Sequence, residues 1–570
     1  MTTNLVRLLH ERVEHTPAAI ALIDAQHKQY TFADILTASQ RLAGYLTHCC
    51  QLKLGDGVLL LQPLSAELYI ALAAIWQVGA IAVILNPLLG QRYIAHCAHE
   101  INLKVWLAPS WLFTTQLFSP TLRRIRYKIA VGVPVPGTVT WQQVQKSAPK
   151  TDAVELNAEA IALLSFTSGT TGQPKPIARS HHLLLAQYQA LAPVLQWQPG
   201  AQELTTLPLF GLANLVAGGA TVIPPVNVRR PARVSGLKLR RAIAQYQIER
   251  IVAAPGILGR LLLGASKPLP SLHQIFIGGA PVTQKLRDRL QHLALNAQIT
   301  VVYGATEAEP IAVIPPAPLG KGGDWKIPSI VPTFLETEGR PPQMRSRSPS
   351  QPLAASPPLI RGEGGINGLE LSKPASFSPN LGLFAGQPVP SLELRILDTA
   401  TNQSALPNQP GEIIVRGAHV LNSPHPQQRL TLQGQQWHRT GDLGYLDVHG
   451  QLWLLGRATA AIREDHGILY PLTVECLVNE LPGVARSALV QWRGRRVLLV
   501  EWERHELRTE NCKLKTALAW AQLDHIITVR AIPTDRRHNA KVNYPQLARW
   551  LRSPWGKWQL WLKMAKTDQD

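Results

Sequence analysis

The chemistry available to this chain starts at residues 163–175, LLSFTSGTTGQPK. The apolar run at residues 161–166 reads as a buried strand, and it cannot continue through the cluster that follows because Gly169 and Gly172 favour a turn. The resulting loop offers closely spaced backbone N–H groups, the hydroxyls of Thr167, Ser168, Thr170 and Thr171, and the cation Lys175. Such a set suits a polyphosphate. The spacing is G-x-x-G-x-P-K, and the Walker pattern G-x-x-x-x-G-K-[ST] is absent. Flexible Ser/Thr/Gly connectors share this composition, so the loop alone leaves a phosphate site and a plain surface connector both open.

Further stretches bear on the same chemistry. In VVYGATEAEP, residues 301–310, a strand leads to Tyr303, Gly304, Thr306 and Glu307. They supply a ring that can stack on adenine, a hydroxyl that can reach a phosphate, and a hard carboxylate oxygen for Mg²⁺ between phosphates. A solvated acidic loop is the plainer reading. IFIGGAP, residues 275–281, ends a strand in a glycine pair that lets a flat base approach the backbone, as an ordinary turn also would. In WHRTGDLGYLDVHGQLWLLGR, residues 437–457, Asp442 and Arg457 can bind ribose hydroxyls and neighbouring phosphate oxygens, and the string also reads as a β-hairpin turning at residues 447–450. TDRRHNAKVNYPQL, residues 534–547, carries Lys541, a cation that can bridge a carboxylate and an α-phosphate as charge builds on the phosphoryl oxygens. In LPLFGLANL, residues 207–215, Gly211 and Ala213, with Gly218 and Gly219 beyond, either leave room for an aliphatic chain or permit close helix packing.

These strings resemble the adenylate-forming superfamily, which includes acyl-CoA synthetases, fatty acyl-AMP ligases, nonribosomal-peptide adenylation domains and luciferases. The resemblance spans most of the chain outside residues 315–378. It implies that Thr167, Ser168, Gly169, Thr170, Thr171, Gly172 and Lys175 hold the phosphates of ATP. It places Gly279, Ala280, Pro281, Tyr303 and Gly304 on the adenine side, Asp442 and Arg457 at the ribose, and Glu307 on Mg²⁺. Lys541, Glu307 and Thr306 are the implied catalytic residues. Gly211 stands where the superfamily commonly has a histidine, and no catalytic role is carried over there. The superfamily's hinge follows Gly456 and Arg457, with Thr459 in place of the usual Asp or Lys. The strings LPLFGLAN, GGAPV, YGATEAEP, WHRTGDLGYLD and RRHNAK resemble in particular the β-lactone synthetases of olefin biosynthesis. That branch implies a 2-alkyl-3-hydroxy fatty acid whose β-hydroxyl displaces AMP. Transfer to the thiol of CoA or a carrier protein, and nucleotide binding without turnover, are the other readings.

Positioning these groups requires more than one core, since 570 residues exceed what a single core supports. Helix and strand alternation through the first 300 residues implies a layered α/β domain with mostly parallel sheets. A β-subdomain follows, so that residues 1–455 form a large domain, 456–459 a hinge and 460–570 a small mobile α+β lid. Strands at residues 488–491 and 497–501 and a helix over 512–521 are expected in that lid. Residues 315–378, rich in Pro, Gly, Ser and Arg, read as a disordered surface insertion. The apolar run 68–85 is nominally long enough to span a bilayer, but a helix followed by a buried strand ending at Asn86-Pro87 explains it better.

Five cysteines without a C-x-x-C pair give neither a disulfide framework nor a zinc site. With no apolar leader in the first residues, a reducing cytoplasm is the expected compartment. The formal charge of +20 favours anionic partners, but no zinc finger, RNP string or helix-turn-helix accompanies the basic clusters, so specific nucleic-acid binding is not indicated. The expected partner is a small carboxylic acid, by resemblance a fatty acid. Trp550, Trp555, Trp558 and Trp561, interleaved with Arg and Lys near the C-terminus, suit either a bilayer headgroup region, making the protein peripheral to a membrane, or docking on their own domain.

Overall fold

The computed structural model describes residues 4–85, 101–118, 120–168, 174–227, 231–265, 267–316, 381–423, 425–464, 467–503, 514, 518–535, 541–554 and 556. Local chemistry sets the early elements. Thr31 caps the helix Phe32–His48 through a reciprocal capping box with Asp34, and Asp34 N donates to Thr31 Oγ1 at 3.1 Å. The run at 68–85 divides as the sequence implied, into the helix Ala66–Gln77 and the strand Ile81–Ile84. This helix is apolar all round because it is buried all round. Gln77, at its C-terminal end, is fully buried and donates to the carbonyls of Lys150 and Thr151, the latter at 3.0 Å. Among the described residues no helix is long and apolar enough to cross a membrane.

Two sheets form the large domain. One is seven-stranded, running Val139–Thr140, Tyr127–Val131, Leu103–Pro109, Gly57–Leu60, Ile81–Ile84, Ile161–Ser168, Pro174–Ser180. All neighbours are parallel except the last pair, which is an antiparallel hairpin. The other sheet has fourteen strands. Its parallel part runs from Ile20–Ile23 to Gln298–Ala305 and turns antiparallel at Ala308–Ile314, continuing into the β-rich strands between residues 383 and 457. Parallel strands buried on both faces need continuous apolar runs, and IVA at 251–253 and IFI at 275–277 supply them.

The small domain has its own sheet, Val484–Trp492 against Arg495–Trp502 antiparallel and the latter against His525–Val529 parallel. Its two apolar clusters draw only on residues from 462 onward. Both expected strands are present and longer than expected. Within residues 512–521 the described part is Leu514 and a short 3-10 turn, Ala519–Ala521. Trp550, on the helix Tyr544–Arg552, packs against this domain's core, whereas Trp555, Trp558 and Trp561 lie outside the described residues. The expected insertion at 315–378 lies outside them from residue 317.

The helix His181–Leu195 joins the two sheets, and a buried ion pair fixes its C-terminal end. Arg250 Nη2 donates to Leu195 O at 2.6 Å, and its Nε meets Glu203 Oε2 at 3.4 Å with both side chains out of solvent. Burial pushes the Glu203 carboxyl up to about 7 against the opposing pull of Arg250. Removing one partner of such a pair strands the other in a dry interior. Arg250→Met should therefore cost about 3–5 kcal/mol of stability in denaturant unfolding; a variant as stable as the parent would show that Glu203 does not depend on it.

Candidate active site

Tyr303 and Gly304 lie near the C-terminal end of Gln298–Ala305, and the two-residue turn Thr306-Glu307 reverses the chain into Ala308–Ile314. Two neighbours hold this turn. Gln187 Nε2 donates to Thr306 O at 3.4 Å, and Leu421 N donates to Glu307 O at 2.7 Å. The adjacent strand Gln274–Gly278 is parallel, with Gly278 beside Val302, so Gly279, Ala280 and Pro281 emerge next to Tyr303 and Gly304. Gly279 has φ +84°, a conformation that side-chain-bearing residues rarely adopt.

Asp442 and Arg457 come from the two arms of one hairpin, Gln435–Leu446 and Leu452–Arg457, and sit opposite each other in register. The turn read at 447–450 is what pairs them. Tyr303 Oη donates to Asp442 Oδ2 at 2.8 Å, and Arg457 Nε meets Asp442 Oδ1 at 3.0 Å. Arg457 Nη1 also donates to Thr440 O at 3.0 Å. Burial, then the Asp442 carboxylate, pushes the Tyr303 phenol well above its ordinary value. Asp442 raises Arg457, and Glu307 acts on the same guanidinium. Tyr303, Glu307, Asp442 and Arg457 thus form one electrostatic cluster.

Among the described residues no three His, Cys, Asp or Glu side chains are grouped to hold a metal unaided. A single carboxylate nevertheless fits Mg²⁺, which keeps several waters and takes its remaining ligands from substrate phosphates. Glu307, in the turn beside Tyr303 and Asp442, is a carboxylate of the type that could serve in this way.

The stretch at residues 163–175 differs from the sequence reading in one respect. The strand does not end at Phe166; Thr167 and Ser168 continue it and pair with Lys175 and Pro174 of the returning strand. The β-tolerant Thr167 extends the ladder, and the prolines of Pro174–Ser180 are accepted because that strand lies at the sheet edge. Gly169, Thr170, Thr171 and Gly172 lie outside the described residues, as do the side chains of Thr167, Ser168 and Lys175.

The structure adds a group that the sequence reading passed over. Burial pushes the Glu309 carboxyl up to about 7, opposed first by Arg179 and then by Lys541. Arg179 is buried and comes from the returning strand Pro174–Ser180. Lys541 comes from the small domain. Glu309 therefore lies within electrostatic reach of both the strand Pro174–Ser180 and the Lys541 segment. Its signal in the sequence was a glutamate before proline in an otherwise apolar strand, AEPIAVI.

Lys541 itself sits in a tight local frame. Its N–H donates to Asp535 Oδ1 at 3.0 Å, and Asp535 N donates to Lys541 O at 2.9 Å. Thr534 and Val542 form a β-bridge, and Asn543 caps the following helix by accepting from Gln546 N at 3.0 Å. Tyr544 Oη donates to the buried Glu475.

Gly211 opens no acyl pocket. A Cβ there would stand 2.2 Å from Tyr69 Oη and 2.9 Å from Thr205 Cγ2, and one at Gly219 would meet Asn214 Oδ1 at 2.2 Å. Of the two readings left open for these small residues, close packing is the one observed.

Residues 9–339 match the family described as AMP-binding enzyme, and the chain belongs to that family. It is an enzyme of the adenylate-forming kind, which activates carboxylic acids. The olefin beta-lactone synthetase of Stenotrophomonas maltophilia (strain K279a) is 26% identical over 529 residues, covering 86% of this chain and 86% of the relative. The 2-succinylbenzoate–CoA ligase of Bacillus subtilis (strain 168) is 26% identical over 495 residues, covering 86% and 85%. In fold, the chain is similar to O-succinylbenzoate coenzyme A synthetase from Bacillus subtilis in complex with ATP and magnesium ion, with TM-score 0.70, 23% identity, and coverage of 94% and 98%.

Glu475 makes the Lys541 frame sensitive to pH. Its carboxyl is pushed by burial from 4.5 to about 7 and accepts from Leu489 N at 2.9 Å. The folded chain thus retains a proton that the unfolded chain releases at lower pH, so this group's penalty grows as pH rises through that interval and is complete above it. Glu475→Gln keeps the acceptor and removes the ionisation. Relative to the variant, the parent should lose up to about 3 kcal/mol of stability between about pH 5 and about pH 8, measured by denaturant unfolding. A constant difference across that range would contradict the assignment.

Proposed function

We propose that this chain activates a 3-hydroxy fatty acid with ATP and closes the acyl-adenylate to a β-lactone. The observation that supports the reading is that Lys541 of the small domain acts electrostatically on Glu309, in the hairpin that bears Tyr303, Thr306 and Glu307. A cation in that position serves an in-line displacement at the α-phosphorus. The substrate carboxylate oxygen forms the new P–O bond and pyrophosphate leaves. Lys541 neutralises charge as it builds on the phosphoryl oxygens, Thr306 donates to the α-phosphate, and Asp442 with Arg457 orients the ribose. Glu307 holds Mg²⁺, which when bound offsets the charge of the phosphates. In the second step the substrate's own 3-hydroxyl oxygen bonds to the carbonyl carbon, the C–O bond to AMP breaks, and the hydroxyl proton passes to solvent or to AMP. Residues 456–459 act as the hinge on which the small domain turns.

The second step rests on the similarity to olefin β-lactone synthetases at 26% identity. A CoA ligase is the rival, favoured by the similarity to a 2-succinylbenzoate–CoA ligase. ATP and a 2-alkyl-3-hydroxy fatty acid should yield AMP, pyrophosphate and a lactone without CoA. AMP release that strictly requires CoA would select the ligase, and no release under either condition would indicate a nucleotide-binding homologue without turnover.

Lys541→Ala should lower pyrophosphate formation by roughly 10²–10³-fold while ATP affinity stays within a few-fold. An unimpaired rate would remove Lys541 from the mechanism. Asp442→Ala should instead act on ATP, raising its KM about tenfold or more through the lost ribose contacts; a KM equal to that of the parent would place the ribose elsewhere.

A further inference from the structure

The helix Pro471–Glu480 touches both the large domain and the segment that carries Lys541. At its C-terminal end, Glu480 accepts from the backbone of the large-domain helix Gln284–Leu293. Oε1 takes Gln284 N at 2.7 Å, and Oε2 takes Lys285 N at 2.9 Å. The first turn of that helix has no acidic residue of its own, and Thr283 caps only Leu286 N, at 3.2 Å. Glu480 therefore supplies from another domain the carboxylate that a helix N-terminus attracts. Lys285 returns the contact, its Nζ lying 3.3 Å from Glu503 Oε1 and 3.4 Å from Val484 O. Halfway along the same helix, Glu475 accepts from Tyr544 Oη, three residues after Lys541. The large-domain helix gripped in this way follows directly on Gly279, Ala280 and Pro281, next to Tyr303.

We propose that Glu480 is a positioning residue for adenylation: by capping the Gln284–Leu293 helix it sets the small domain in the orientation that brings Lys541 into the cleft. The proposal rests on the role given above to Lys541. Glu480 touches no substrate, and its effect passes through the Pro471–Glu480 helix and Glu475 to the Lys541 frame. Two charge-assisted hydrogen bonds from one carboxylate form a directional contact, and losing both depopulates the closed arrangement.

The test measures two properties of the full-length chain. Glu480→Ala should lower the rate constant of pyrophosphate formation about tenfold or more, with the ATP dissociation constant within about threefold of the parent. In the same variant, amide hydrogen exchange at Gln284 and Lys285 should accelerate while Leu286, capped by Thr283, stays protected. Lys285→Met, which removes the Glu503 contact and leaves the backbone cap, should give a smaller loss and serves if Glu480→Ala fails to fold. Unchanged exchange at Gln284 and Lys285 overturns the proposal, and so does faster exchange at an unchanged rate. A parent chain that forms no pyrophosphate refutes the proposed function instead, and the exchange measurement then decides by itself whether Glu480 docks the domain.

Discussion

A lysine that serves a phosphoryl transfer has to enter a partly dehydrated cleft, and a cation enters such a place only when an anion meets it. In this chain the acidic group on which charge from distant segments converges is Glu309, with Arg179 acting on it from the strand Pro174–Ser180 and Lys541 from the small domain. The three residues lie on segments separated by more than a hundred residues along the chain. The helix His181–Leu195 links two of these segments, following directly on Pro174–Ser180 and meeting the Thr306 turn through Gln187. Much of the architecture serves that convergence. The Arg250–Glu203 pair ties down one end of the joining helix, and Gln187 on the same helix meets the Thr306 turn.

The second constraint is the pairing of Asp442 with Arg457. Two residues fifteen positions apart become direct neighbours only if the chain between them folds back on itself, and the β-hairpin does so. The Tyr303 hydroxyl then fixes Asp442 from a different strand. The carboxylate is held from two sides, so its direction is set before any ligand arrives. Such preorganisation is what makes a ribose or phosphate contact specific.

Much of this was legible in the sequence because it depends on short-range chemistry. The strand at Ile275–Ile277 and the hairpin turn at 447–450 are read from only a few consecutive residues each. Two features were not legible. Glu309 reads as one more acidic residue after Glu307, since its meaning comes from Arg179 and Lys541, which are remote in sequence. Gly211 reads equally as open space or as close packing, and only the position of Tyr69 decides between them. The end of the strand at Ser168 was misread for a related reason: a polar residue continues a strand when a partner strand is present, and the partner begins beyond the glycines.

The contacts between the domains differ in kind along one helix. At the N-terminal end of Pro471–Glu480, Tyr470 and Leu472 pack against apolar clusters of the large domain, as do Ala458 and Ala461 just after the Leu452–Arg457 strand. Eight residues further, about 12 Å along the helix axis, the contact is polar: Glu480 on two backbone amides and Lys285 on Glu503. Apolar packing tolerates sliding and rotation because it has little directionality, whereas a carboxylate on two amides is lost after a small displacement. A boundary that is apolar near the connection and polar away from it suits a pivot at one end and a release point at the other. Once separated, the polar groups regain hydration, which lowers the cost of opening; an apolar face of the same size would resist it. The distribution of residue types along this seam therefore favours a small domain that docks in a defined orientation and can also leave it.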